Sequence, residues 1–166
     1  EKIFSERNKR MAKKEDKTNV MRILDQKKIS YRHYVYENKD GKIDGVAVAQ
    51  KLGQPIERVF KTLVTKSGKE YYVFVVPVAQ ELDLKAAARS VGAKSIEMIH
   101  VKEINALTGY IRGGCSPIGM KKQFQTVLDE SAMSQETIIV SGGRIGTQVE
   151  LTPSDLIRLI GAKAAP

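Results

Sequence analysis

Two features of this chain could do chemistry: a lysine among apolar neighbours, and two glycine-rich segments flanked by cations. Lys61 stands in Val59-Phe60-Lys61-Thr62-Leu63-Val64, a run with the character of a strand. An ammonium there can point outward, where an edge lysine discourages aggregation. It can also sit at a cavity floor and hold an anionic or carbonyl group. The first glycine segment is Gly109-Tyr110-Ile111-Arg112-Gly113-Gly114-Cys115-Ser116-Pro117-Ile118-Gly119, with Lys121 and Lys122 close behind. The second is Ser141-Gly142-Gly143-Arg144-Ile145-Gly146, and the two hold seven of the 13 glycines. Glycine lets backbone N–H groups come close to a ligand. Arg112, Lys121, Lys122 and Arg144 add positive charge, which suits a phosphate or a developing oxyanion. Neither segment has Walker or dinucleotide spacing, and two tight turns would use the same glycines.

Other chemistries find less support. Cys115 follows two glycines, but neither His33 nor His100 is tied to it by spacing. Ser116 before Pro117 lacks the nucleophile-elbow pattern and a recognisable triad. Asp129 and Glu130 are adjacent, so a strand sends them to opposite faces. One cysteine and two histidines do not make a familiar zinc set, and one cysteine forbids an internal disulfide. No metal or cofactor is expected.

The elements that must position these residues read as one mixed domain. A chain of 166 residues, 42% hydrophobic and 28% charged, is long enough for a single real core. Helical spacing after Thr18 gives a helix over 18–27, and Tyr31 to Glu37 suits a strand. Asp44 opens a helix that Gly53 stops. Val59–Val64 and Tyr71–Val76 flank a turn at 66–69, as a hairpin would. Further helices follow at 83–91, 102–107 and 153–160, with short strands at 96–99, 126–128, 137–140 and 148–151. Strands and helices alternate too irregularly for a doubly wound parallel sheet. The domain is placed at 18–166.

Net charge is +9, and residues 1–28 hold 10 Lys/Arg against 5 Asp/Glu. Residues 1–17 read as a basic N-terminal tail, which both a solvated arm and a phosphate-binding arm would explain. Residues 1–10 precede Met11, and a start at that methionine would leave them outside the native chain. The longest apolar stretch, Val73–Ala79, is far short of the roughly 20 residues of a spanning helix. No secretory signal pattern is visible, so a cytoplasmic protein with no membrane partner is expected.

In combination the motifs are specific. Phe60-Lys61-Thr62-Leu63, Gly109-Tyr110 through Gly119, and Ser141-Gly142-Gly143, in that order, resemble the YbaK family of aminoacyl-tRNA deacylases. Within it the chain is most similar to the YbaK/EbsC-like enzymes that hydrolyse cysteinyl-tRNA(Pro), relatives of the editing domain of bacterial prolyl-tRNA synthetases. The resemblance implies an α/β fold with a mixed, partly barrel-like β-sheet flanked by helices. It implies Lys61 as the catalytic lysine, with Tyr36, Phe60, Gly113, Gly114, Ser141 and Gly143 around the substrate. Arg112, Lys121, Lys122 and Arg144 are the expected tRNA phosphate contacts. Some relatives have an acidic residue where this chain has Gln148, so no role for a carboxylate carries over. The implied activity is trans-editing of mischarged cysteinyl-tRNA(Pro), with the substrate thiol attacking its own ester. The implied partners are aminoacyl-tRNA and prolyl-tRNA synthetase, in a ternary complex. A deacylase for alanyl-tRNA(Pro) or another small aminoacyl-tRNA, or a non-catalytic tRNA-binding module, remains open.

Overall fold

The structure, a computed structural model, describes residues 17–38, 41 and 44–166. The basic tail, except Lys17, lies outside the described residues, as do residues 39, 40, 42 and 43 between the first strand and Asp44.

Thr18 caps helix α1 (Asn19–Gln26), its Oγ1 accepting from the Met21 N–H at 3.2 Å. Val20, Met21 and Leu24 recur at helical spacing, and all three are buried. Strand β1 (Arg32–Val35) follows, and then α2 (Gly45–Leu52), capped by Asp44 and closed by left-handed Gly53. β2 (Phe60–Ser67) and β3 (Glu70–Pro77) form the expected hairpin, with Lys61 opposite Val76 and Ser67 opposite Glu70. Asp83 caps α3 (Leu84–Val91), and Gly92 ends it. Next come β4 (Glu97–Met98), α4 (Ile104–Thr108) and β5 (Gln125–Asp129). β6 (Ile138–Arg144) and β7 (Thr147–Leu151) form a second hairpin around the second glycine segment. Pro153 sits in the first turn of α5 (Pro153–Ile160), and β8 (Lys163–Ala165) ends the described chain.

Some expected elements shift. The strand read at 31–37 extends only over 32–35, and the one at 96–99 only over Glu97 and Met98. The helix read at 102–107 splits into a 3₁₀ turn at 101–103 and α4. β8 had no sequence signal. Lys-Ala-Ala has little strand propensity, and only parallel pairing with β5 makes it a strand.

The strands form an antiparallel sheet, β1-β7-β6, and a mixed sheet, β4-β2-β3-β5-β8. A parallel bridge between Val59 and Ile139 joins them, so the β-structure curls without closing. The curl encloses the main core, where Phe60, Val75, Leu128, Ile138, Val140 and Val149 pack against α1 and α5. A second core lies under α3, and a third links β2 and β3 to the first glycine segment through Met120, Phe124 and Cys115. The fourth lies beneath α2, where Ala49 meets Val59, Ile139 and Tyr34. No helix among the described residues is long and apolar enough to cross a membrane.

Candidate active site

Strand alternation decides which side chains share a face. In β6, Ile138 and Val140 enter the main core, so Ile139 and Ser141 face the other way, toward α2. Ser141 is opposite Gln148 in β7, and Gln148 is opposite Tyr34 in β1. On the far side of β6, Val59 is bridged to Ile139, and β2 and β6 touch. Two residues beyond that bridge are Lys61 on one strand and Ser141 on the other. Lys61, Ser141, Gln148 and Tyr34 therefore form a polar row on the face that α2 covers.

The row differs in how firmly its members are held. The Tyr34 hydroxyl donates to Glu150, which also accepts from Thr137 Oγ1. Burial, then the Glu150 carboxylate, raises the Tyr34 pKa to about 12, so the phenol is neutral. Gln148 is buried, and its Oε1 accepts from Gln54 Nε2 at 2.8 Å. Gln54 follows α2 directly and ties that helix to the sheet. Lys61 is half-buried and has no ion-pair or hydrogen-bond partner among the described residues. An ammonium with no structural partner is available to a substrate.

The two glycine segments lie against each other at the β6–β7 turn. A Cβ on Gly114 would come within 2.9 Å of the Ile145 N and 3.0 Å of the Arg144 backbone. Tyr110 is the post between the segments. Its ring passes beside Gly143, its hydroxyl beside Gly119, and that hydroxyl donates to the Ile118 carbonyl. A bulge at Gly142 and Gly143 turns the end of β6, with Gly143 at φ +100 and its N–H donating to Ser141 Oγ at 3.2 Å. Tyr36 adjoins this turn and donates its N–H to the Gly146 carbonyl at 2.9 Å.

Lys61 and Ser141 are thus neighbours across two strands, while Gly143, Gly114 and Tyr36 gather at the β6–β7 turn. Phe60 does not share the face. It is 3% exposed and packs in the main core, on the opposite side of β2 from Lys61. The Gly114 N–H is already used, closing a turn to the Ile111 carbonyl at 3.0 Å. Gly113 beside it is exposed at φ +86, with no hydrogen bond recorded for its N–H among the described residues. Arg112, Lys121, Lys122 and Arg144 are all exposed. Arg144 Nε donates to Thr147 Oγ1 at 3.3 Å, and Lys122 Nζ lies 5.8 Å from the Phe124 ring centroid.

Sequence reading missed Gln54 and Tyr34, and it gave Tyr110 only as part of the first glycine segment. Tyr34 was within reach of an alternation argument, two residues before Tyr36. The contacts of Gln54 and Tyr110 join distant segments, so neither role has a local signal. A cavity of about 540 Å³ lies between α3 and the sheet over Phe74, Val76 and Val127, on the face of the β2–β3 hairpin that Lys61 shares with Val76, but neither Lys61 nor either glycine segment lines it.

Cys115 belongs to the third core, beside Met120 and Phe124. Burial raises its pKa to about 11, partly offset by a hydrogen bond with Thr108. At neutral pH it is a thiol and a poor nucleophile. His33 is also buried, and burial lowers its pKa, which suits a neutral imidazole. Cys115→Ala is expected to keep deacylation within about threefold of wild type. A folded Cys115→Ala protein slowed by several orders of magnitude would make Cys115 the nucleophile.

A half-buried ammonium and exposed backbone donors are groups suited to orienting a substrate and stabilising charge. Residues 44–159 match the model of the aminoacyl-tRNA editing domain, and the chain belongs to that family. One relative is 48% identical over 93% of this chain and 96% of its own length. It is an Enterococcus faecalis protein, EbsC, named for a suggested Cys-tRNA(Pro)/Cys-tRNA(Cys) deacylase activity. A proline–tRNA ligase of Trichlorobacter lovleyi is 28% identical over 69% of this chain, which matches 22% of that enzyme. A crystal structure described as a candidate trans-editing enzyme for prolyl-tRNA synthetase superposes with TM-score 0.75 at 25% identity. It covers 89% of this chain and 96% of the other.

Proposed function

We propose that this member of the editing family is a free-standing deacylase that removes cysteine from mischarged tRNA(Pro), acting beside prolyl-tRNA synthetase. The reading is supported by the placement of Lys61 and Ser141, each two residues beyond the bridge between Val59 and Ile139 on neighbouring strands, and by the packing of the first glycine segment against the second, which begins at Ser141. The 48% identical relative named for the same activity supports it. The need for such an enzyme is physical. Cysteine and proline are close in size, and an apolar synthetase pocket separates such differences by only about 1–3 kcal/mol.

In the proposed reaction the cysteinyl sulfur attacks its own ester carbonyl. The carbon–sulfur bond forms, the carbon–oxygen bond to the ribose breaks, and the thiol proton ends on the released ribose hydroxyl. Water then opens the cyclic thioester and frees cysteine. The protein supplies position and charge: Lys61 holds the substrate near the terminal adenosine, and the exposed Gly113 N–H is the donor best placed for the oxyanion. Ser141 and Tyr36 flank the pocket, and Arg112, Lys121 and Arg144 meet phosphates. Phe60 supports Lys61 from within the core.

The test measures ester loss from cysteinyl-, seryl-, alanyl- and prolyl-tRNA(Pro) with purified protein. Cysteinyl-tRNA is expected to turn over at least tenfold faster than seryl-tRNA. A free thiol, with pKa about 8.5, has a thiolate fraction at neutral pH that a hydroxyl lacks. The enzymatic rate is expected to rise with pH through that range, not toward the value near 11 of Cys115. Equal rates for the two substrates would refute attack by the substrate thiol.

A further inference from the structure

α1 ends differently from the other helices. α2, α3, α4 and α5 each close on a left-handed glycine: Gly53, Gly92, Gly109 and Gly161. After α1 the left-handed position holds Lys28 at φ 57, the one non-glycine residue with positive φ among the described residues. A side chain there strains the backbone where glycine would not, and the turn it makes sets an exposed lysine at the end of α1. Lys28 lies in a groove of about 480 Å³ between the end of α1 and α5, lined also by Lys27, Ser30, Asp155 and Arg158. Asp155 is already paired with Arg158. Lys27 and Lys28 have no ion-pair partner among the described residues.

The other end of α1 touches the candidate site. Val20 meets Gly143, while Asn19 and Ile23 meet Gly119. The eight residues of α1 span about 12 Å. Arg22 is exposed along the way. A polyanion whose 3′ end enters the site and whose backbone leaves along α1 would reach Lys27, Lys28 and Arg158. We infer that this groove binds the phosphate backbone of the tRNA acceptor stem. The inference rests on the function proposed above.

The experiment measures binding of an acceptor-stem minihelix and of tRNA(Pro) to the full chain at several salt concentrations, with deacylation alongside. Lys27→Gln/Lys28→Gly is expected to weaken both RNAs about tenfold and to flatten the salt slope by about two contacts, at roughly 0.9 each. KM is expected to rise while kcat holds, since the groove is remote from the reacting ester. Lys28→Gly alone is expected to match or exceed wild-type Tm and still lose affinity, an outcome that a purely structural lysine would not give. A double variant that binds both RNAs with wild-type affinity and slope overturns the groove and leaves the deacylase reading standing. Loss of prolyl-tRNA synthetase binding with RNA affinity intact would assign the groove to protein and also overturns it. A wild-type protein that neither binds nor deacylates tRNA overturns both readings.

Discussion

Lys61→Ala is expected to lower kcat/KM for cysteinyl-tRNA deacylation by about 100-fold or more, with Tm moving only a few degrees. Removing one preorganised charge-stabilising group from a catalytic site typically costs about 10²–10³ in rate. The structural cost is small because Lys61 has no ion-pair or hydrogen-bond partner among the described residues. Its pairing with Val76 runs through the backbone and survives the change. Lys61→Met separates charge from packing, because it keeps the apolar stem and loses the ammonium. If Met restores the fold but not the rate, the ammonium is the active element. A folded Lys61→Met protein with near-normal turnover would remove Lys61 from the chemistry.

The same lysine shows how far local sequence reaches. That Lys61 sits in a strand followed from its neighbours, and so did the caps at Thr18, Asp44 and Asp83, because caps and hairpins are decided over a few residues. Which face Lys61 takes did not follow. It depends on the bridge between Val59 and Ile139, 80 positions apart in the chain, and on Phe60 turning into the main core. The glycine segments divide in the same way. Their composition marked them as turns or ligand loops. Their mutual contact needed Tyr110, whose ring meets one segment while its hydroxyl closes the other. Gln54 carried no signal at all. Its bond to Gln148 exists only because α2 packs over the sheet. β8 was invisible for the same reason, its pairing with β5 being wholly tertiary.

Gly114→Ala is the second large effect, and it tests whether contact between the two glycine segments builds the site. Gly114 does not have a positive φ, so alanine brings no backbone strain of that kind. The obstacle is steric. The new methyl would lie 2.9 Å from the Ile145 N and 3.0 Å from the Arg144 backbone, atoms that cannot rotate aside. Only separation of the segments accommodates it, and overpacking of this kind costs about 1–3 kcal/mol. In a chain of this size each kcal/mol lowers Tm by roughly 2–4 °C. Deacylation is expected to fall at least tenfold even well below the new Tm, because the movement displaces Gly113 and Arg144 together. Gly92→Ala is the control. It meets nothing within 4 Å and carries only the left-handed strain of φ +71, so it is expected to lose some stability and keep full activity. If Gly114→Ala behaves like Gly92→Ala, stability is lost and function is kept. Contact between the segments then serves the fold alone, and the substrate is held by Lys61 and the polar row without the first glycine segment.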